Sequence, residues 1–275
     1  NRDFWRIDVL GDKELPKRID KGIQIVLESV KKESPKKREI EALRKRIFET
    51  VAMEELESAW LGQRKRPNCK VEFENVDRVL EYKRSGKNIV FLTAHYGNSI
   101  MGISFLGDLG FSPLVMSSDF YLKKDGVPES MKRFYSAKYE GLSSFLNKGK
   151  VLAQEGNLKK FYDWLGGGGD VLILGDLPAF DEKNILWVDF FDQKRAFSQG
   201  ASRMARAKGA AIVPFVCVFE NGRYVVKFGD LSELVDDESE YNSGYKFLEE
   251  QIKKSPEYYY GMDLLPLFAI KEENR

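Results

Sequence analysis

NIVFLTAHYGNSIMG (88–102) governs how the rest of the chain is read. Its first part, NIVFLTA (88–94), is a short, unbroken apolar run rich in strand-forming residues. Such a run suits a strand buried on both faces, as in a parallel sheet. DVLILGD (170–176) and AAIVPFVCVFE (210–220) repeat the pattern. Helical segments lie between them: SIMGISFLGDLG (99–110), with Gly110 as its stop, and SQGASRMARAKG (198–209), with Ser198 as a cap and Gly209 as a stop. YVVKFGD (224–230) reads as a further strand after the Asn221-Gly222 turn. Strands alternating with helices predict an α/β fold with a mostly parallel central sheet flanked by helices.

Residues 1–70 differ from this pattern. They are strongly charged and helical in character, with Ile40, Leu43, Ile47 and Val51 recurring at helical spacing. The expected organisation is a helical N-terminal segment (1–70) packed on an α/β domain (71–275), the whole forming one structural unit. GQRKRPNCK (62–70) reads as a basic loop. The four glycines at 166–169 precede a strand and no GK[ST] follows, so they read as a flexible connection rather than a phosphate loop.

Composition removes several function classes. With 44 basic and 43 acidic residues among 275, the net charge of +1 gives no reason to expect nucleic acid as a partner. Cys69 and Cys217 stand alone, without CxxC spacing, so neither zinc nor a disulfide framework is indicated. No apolar run is long enough to span a bilayer, and no signal peptide is visible. The chain begins at Asn1 without a methionine, and a membrane anchor upstream of it is one expectation.

His95, the only histidine, directly follows the first buried strand. Ligands of open α/β sheets bind beyond the carboxyl ends of strands. An imidazole there can serve as a general base or as a hydrogen-bonded structural group, and position alone favours neither. The neighbouring residues favour the base. Gly97 would let backbone approach a substrate. Asn98 would donate to a developing oxyanion or cap the next helix, whose positive end would face the site.

NIVFLTAHYGNSIMG resembles the first motif of bacterial lipid A late acyltransferases, within the lysophospholipid acyltransferase superfamily. There a strand leads into His-Phe/Tyr-Gly-Asn-Trp-Glu, and His95, Tyr96, Gly97 and Asn98 match in order. GDLPAF (175–180) resembles the family's Asp-Gln segment at a strand end. VDFFDQKRAFSQGASRMARAKGAAIVPF (188–215) resembles its stretch of paired Phe, a Gly before a helix, an Arg within it and a strand ending in Val-Pro. SPEYYYGM (255–262) resembles its Pro-Glu-x-Tyr/Trp segment. The likeness runs over roughly residues 70–262. It implies a lysophospholipid acyltransferase-like fold and O-acyl transfer from an acyl carrier protein or coenzyme A thioester to a hydroxyl of a lipid A precursor or related glycolipid. His95 would be the base; no bound cofactor, metal or covalent acyl-enzyme is implied. The implied setting is the cytoplasmic face of the inner membrane, reached peripherally or through an anchor absent from this chain, with the membrane surface, the lipid acceptor and acyl carrier protein as partners.

The motif breaks at one place. The family carries an acid five residues after its histidine, and Ile100 stands there. An aliphatic side chain cannot orient an imidazole or stabilise its charged form. Three readings follow. Another carboxylate serves, with Asp176 the best candidate and Asp119 a weaker one. Alternatively, the fold and lipid pocket survive without the chemistry, leaving a lipid- or partner-binding relative. Third, Ile100 is an introduced substitution. An α/β hydrolase is opposed by the lack of any G-x-S-x-G elbow.

Ser198, Gly200 and Arg203 are candidate substrate-binding residues, the amides at a helix start and a guanidinium within it suiting phosphate or carboxylate groups. Plain helix capping accounts equally for Ser198 and Gly200, and a solvated helix face for Arg206. Phe190 and Phe191 suit an acyl pocket or, more simply, the core. Tyr258, Tyr259 and Tyr260, and the basic runs KKESPKKR (31–38) and 62–70, suit a membrane interface or ordinary surface.

Overall fold

Successive residues of the apolar runs go to opposite faces of one sheet, as the two-residue strand period requires. In the computed structural model, Val90 and Leu92 join one buried cluster, while Ile89 and Phe91 join another on the opposite face. Val171 and Ile173 divide from Leu172 in the same way, as Ile212 does from Val213. A strand buried on both faces has no polar positions, which is why these runs are continuous in sequence.

The structure describes residues 11–179, 181–233 and 238–271. The start of the expected N-terminal helical segment, up to residue 10, and Phe180 of GDLPAF lie outside the described residues. The strands are β1 (Lys70–Glu74), β2 (Ile89–Thr93), β3 (Pro113–Ser117), β4 (Lys150–Ala153), β5 (Asp170–Leu174), β6 (Ile185–Phe190), β7 (Gln193–Ser198), β8 (Ala211–Glu220), β9 (Arg223–Phe228) and β10 (Ser232–Glu233). The helices are α1 (Leu15–Lys31), α2 (Lys37–Gly62), α3 (Asp77–Arg84), α4 (Ser99–Leu106), α5 (Phe120–Lys123), α6 (Glu129–Ser143), α7 (Leu158–Gly166), α8 (Gly200–Lys208) and α9 (Glu238–Lys254).

The main sheet runs β1-β9-β8-β2-β5-β3-β4, with β10 beside β8. Its pairs are parallel except β8–β9 and β8–β10. The expected α/β class with a mostly parallel sheet is therefore what the chain forms. β2 lies inside this sheet between β5 and β8, so the loop after it opens where neighbouring parallel strands also end. Thr93 stands opposite Leu174, which carries residues just past β2 and β5 to the same place.

The charged N-terminal region forms α1 and α2 and packs onto the domain. Leu15, Ile23 and Val26 of α1 are fully buried. The stripe read on α2 is buried at Leu43, Ile47 and Val51, and runs on to Leu61. Two expected ends differ. The helix after Asn98 stops at Leu106, followed by a turn to Gly110, whose φ of +87° suits glycine. The helix at 198–209 starts at Gly200 after Gln199, with no side-chain cap; Gly209 ends it in the left-handed conformation as expected.

Candidate active site

β2 delivers the site's centre. After Thr93 the chain turns tightly, with the Tyr96 amide donating to the Ala94 carbonyl at 2.7 Å. Asp176 emerges from β5 at the same level. The backbone N–H of His95 donates to Asp176 Oδ2 at 2.9 Å. His95 Nδ1 lies 3.0 Å from Oδ1 and 3.1 Å from Oδ2 of the same carboxylate. A carboxylate only accepts, so Nδ1 is the donor of this contact, and in the neutral ring the lone pair is then on Nε2. Among the described residues no side chain hydrogen-bonds to Nε2. The Asp176 side chain is 1% exposed and that of His95 20%. A dry acid thus fixes an imidazole that keeps one edge accessible.

The last expected motif completes this arrangement. The Tyr260 amide donates to the His95 carbonyl at 2.9 Å, and the Gly97 amide to the Tyr258 carbonyl at 2.8 Å. The Tyr260 ring meets the His95 ring edge-on, centroids 5.6 Å apart, and its hydroxyl pairs with Ser99 Oγ at 2.8 Å. Gly261 lies so close to Asp176 that a Cβ there would stand 2.9 Å from Oδ2. Of the three tyrosines expected at a membrane interface, burial removes Tyr259 alone. Tyr259 is fully buried, and Tyr258 packs edge-on against Tyr96 with ring centroids 5.8 Å apart.

A cavity of about 540 Å³ opens beside His95. Its lining is mainly apolar, with Ile100, Ile103, Met116, Met131, Phe134 and Ile173 among the residues. The first turn of α4 borders it at Ser99 and Ile100. Amides in a first helical turn have no intrahelical acceptor, and the helix dipole puts partial positive charge there.

The structure sorts the expected site residues. It brings together His95 and Asp176. Asp119 instead forms an ion pair with Lys123 on its own short helix. Gly97 is needed for packing. Its φ is +58°, and a Cβ would stand 2.2 Å from the Cys217 carbonyl of β8. Asn98 faces inward, makes no helix cap, and donates from Nδ2 to Glu57 Oε1 at 2.6 Å. That buried amide is spent on the fold and does not border the cavity. Ser198, Gly200 and Arg203 are exposed around the start of α8 and outside the cavity lining, with Arg203 hydrogen-bonded to Asn184. Phe190 and Phe191 are core residues, 1% and 3% exposed.

Reading the sequence missed Glu54, Glu57 and Lys138. Glu54 and Lys138 border the cavity, and Glu57 lies beneath the His95 turn, accepting from Asn98 and from the Tyr224 hydroxyl at 2.9 Å. Burial pushes the Glu57 carboxyl up to about 7, against the lowering effect of those two donors. A signal was present: the α2 stripe of Ile47 and Val51 reaches Glu54 at its next helical step. A charge standing in an apolar stripe marks a buried partner.

Among the described residues no helix is long and apolar enough to cross a membrane. A search of curated proteins returned no match. The sequence model of the bacterial lipid A biosynthesis acyltransferases matches residues 10–264, nearly the whole chain, and the protein belongs to that family.

Proposed function

We propose that the protein transfers a fatty acyl chain from an acyl carrier protein or coenzyme A thioester to a hydroxyl of a lipid A precursor or related glycolipid, with His95 as general base. The observation that carries this reading is the His95–Asp176 pair on the wall of an apolar cavity. In the reaction His95 Nε2 takes the acceptor's hydroxyl proton as the oxygen attacks the thioester carbonyl. Asp176 holds the tautomer and stabilises the imidazolium. The first turn of α4 supplies positive potential for the tetrahedral oxyanion. Collapse expels the thiolate, which the imidazolium reprotonates. The acyl chain occupies the cavity, where each buried methylene contributes about 0.8 kcal/mol.

Ile100 fits this scheme as cavity wall, 7% exposed, while the orienting acid comes from the neighbouring strand. The proposed setting is the cytoplasmic face of the inner membrane, with attachment either peripheral or through a further segment. Phe120 and Leu177 support surface docking, because both border the cavity and stand exposed.

The test is incubation of the purified protein with acyl thioesters and glycolipid acceptors, with products read by mass spectrometry. The expected result is thioester-dependent acylation that His95→Ala abolishes. Undiminished transfer by that variant would remove His95 from the mechanism. A non-catalytic, lipid-binding relative is the second reading, motivated by Ile100. It predicts acyl-chain binding without turnover in parent and variant alike.

A further inference from the structure

The cavity wall carries one feature that an aliphatic chain does not use. Lys138 Nζ on α6 lies 2.6 Å from Glu54 Oε1 on α2, with side-chain exposures of 11% and 6%. Both residues line the same cavity as His95. Removing two charges from water carries a desolvation penalty, and apolar residues of similar volume often serve stability as well or better. A pair that only fastened α2 to α6 would have no need to face a ligand cavity.

The pair also has a definite chemical complement. An ammonium offers three N–H donors, and Glu54 takes one from Lys138. The carboxylate beside it accepts. Glu54 Oε1 also accepts from Ser58 Oγ at 3.5 Å, and a group that both accepts and donates can address the ammonium and the carboxylate together, a hydroxyl being the smallest that does so. A methylene at the same place would strip water from both charges and return nothing. A carboxylate would meet Glu54 with like charge.

Taking the cavity as the acyl-chain site, as the proposed function does, we propose that the Glu54–Lys138 pair recognises a hydroxyl borne by the acyl chain. The preferred donor is then a hydroxyacyl thioester rather than a plain saturated one.

The experiment compares kcat/KM for thioesters of equal length, saturated or hydroxylated at successive carbons, with one acceptor. The expected outcome is a preference of about 10- to 100-fold for one hydroxylated positional isomer, the range of a hydrogen bond to a charged group. In the Glu54→Leu/Lys138→Met double variant, which removes both charges of the pair, that ratio should collapse towards one. Equal or better use of the saturated chain by the parent would overturn the inference while leaving acyl transfer intact. So would an unchanged ratio in the double variant.

Absence of transfer from every thioester would instead overturn the proposed function. The inference would then be decided by binding. Free hydroxylated and saturated fatty acids are titrated into the parent protein, and equal affinities for all isomers would overturn it. That arm needs no variant to fold.

Discussion

Asp170 and Asp176 flank one strand and are both buried, at 0% and 1% exposure, yet they do different work. Asp170 opens β5 at the amino-terminal edge of the parallel sheet. Its carboxylate accepts from Lys83 Nζ at 2.7 Å, from the Ile89 amide at 3.2 Å and from the Ser112 amide at 3.3 Å. Those donors tie α3, β2 and the start of β3 to β5. Even so, burial outweighs Lys83 and raises the Asp170 carboxyl above its ordinary value. Asp176 lies past the carboxyl-terminal end of β5, and its partner is an imidazole that borders a cavity. One strand thus carries a fastening at one edge and a poised group at the other. The difference follows from the sheet, because only the carboxyl edge of parallel strands opens into loops that can surround a ligand.

Substitution at the two ends should separate these roles, and the largest effect belongs to Asp176→Asn. The asparagine oxygen can still accept the His95 backbone N–H. Its NH2 would then face Nδ1, forcing the proton to Nε2 and removing the base. Acyl transfer should fall by about four powers of ten, as in the corresponding change of a Ser-His-Asp triad, with little change in the urea midpoint. Wild-type turnover in this variant would erase the distinction between the two aspartates.

The second effect is on stability. Lys83→Met leaves Asp170 buried without its cation. Breaking a buried pair in this way costs about 3–5 kcal/mol. Lys83 is 24% exposed, which argues for the lower end of that range. Urea unfolding should read the loss, while turnover per folded molecule stays at the parent value. A turnover defect without a stability defect would reverse the comparison.

The same contrast explains what the sequence could reveal. β2, β5 and β8 were legible because burial on both faces writes an unbroken apolar run. β3 and β4 were not, since PLVMS loses full burial at its last two residues and KVLA has no fully buried position. The β6–β7 hairpin was hidden by its turn. Phe191 and Asp192 occupy left-handed φ of 51° and 58°, positions where glycine or asparagine is the usual signal. At the site, the His95–Asp176 pair could be anticipated because adjacent parallel strands end together. The inward turn of Asn98 could not, because it depends on Glu57 reaching it from α2, distant in sequence. For the same reason Lys138 was invisible: nothing local to α6 shows that Glu54 stands opposite.

Glu57 extends the comparison to a buried carboxyl without a cation in hydrogen-bond contact, and it gives the smallest predicted effect. Its Oε1 accepts from two neutral donors, while Oε2 has no hydrogen-bond partner. With the carboxyl raised from 4.5 to about 7 by burial, the folded state holds the proton more tightly than the unfolded chain does. The stabilisation from this group is therefore fully present below about pH 4.5 and is lost as pH rises through about 7. Glu57→Gln keeps an acceptor for Asn98 and Tyr224 but cannot titrate. Its amide also places an N–H pair where Oε2 was unpartnered, so the variant starts less stable at acid pH. The parent's advantage over the variant should then shrink by about 2–3 kcal/mol across that window, measured by urea unfolding at matched pH. Taking the difference removes the opposing slopes of the surface carboxylates, which the two proteins share. A constant difference would mean that Glu57 does not change its protonation on folding across this window, and that its two neutral donors offset its burial.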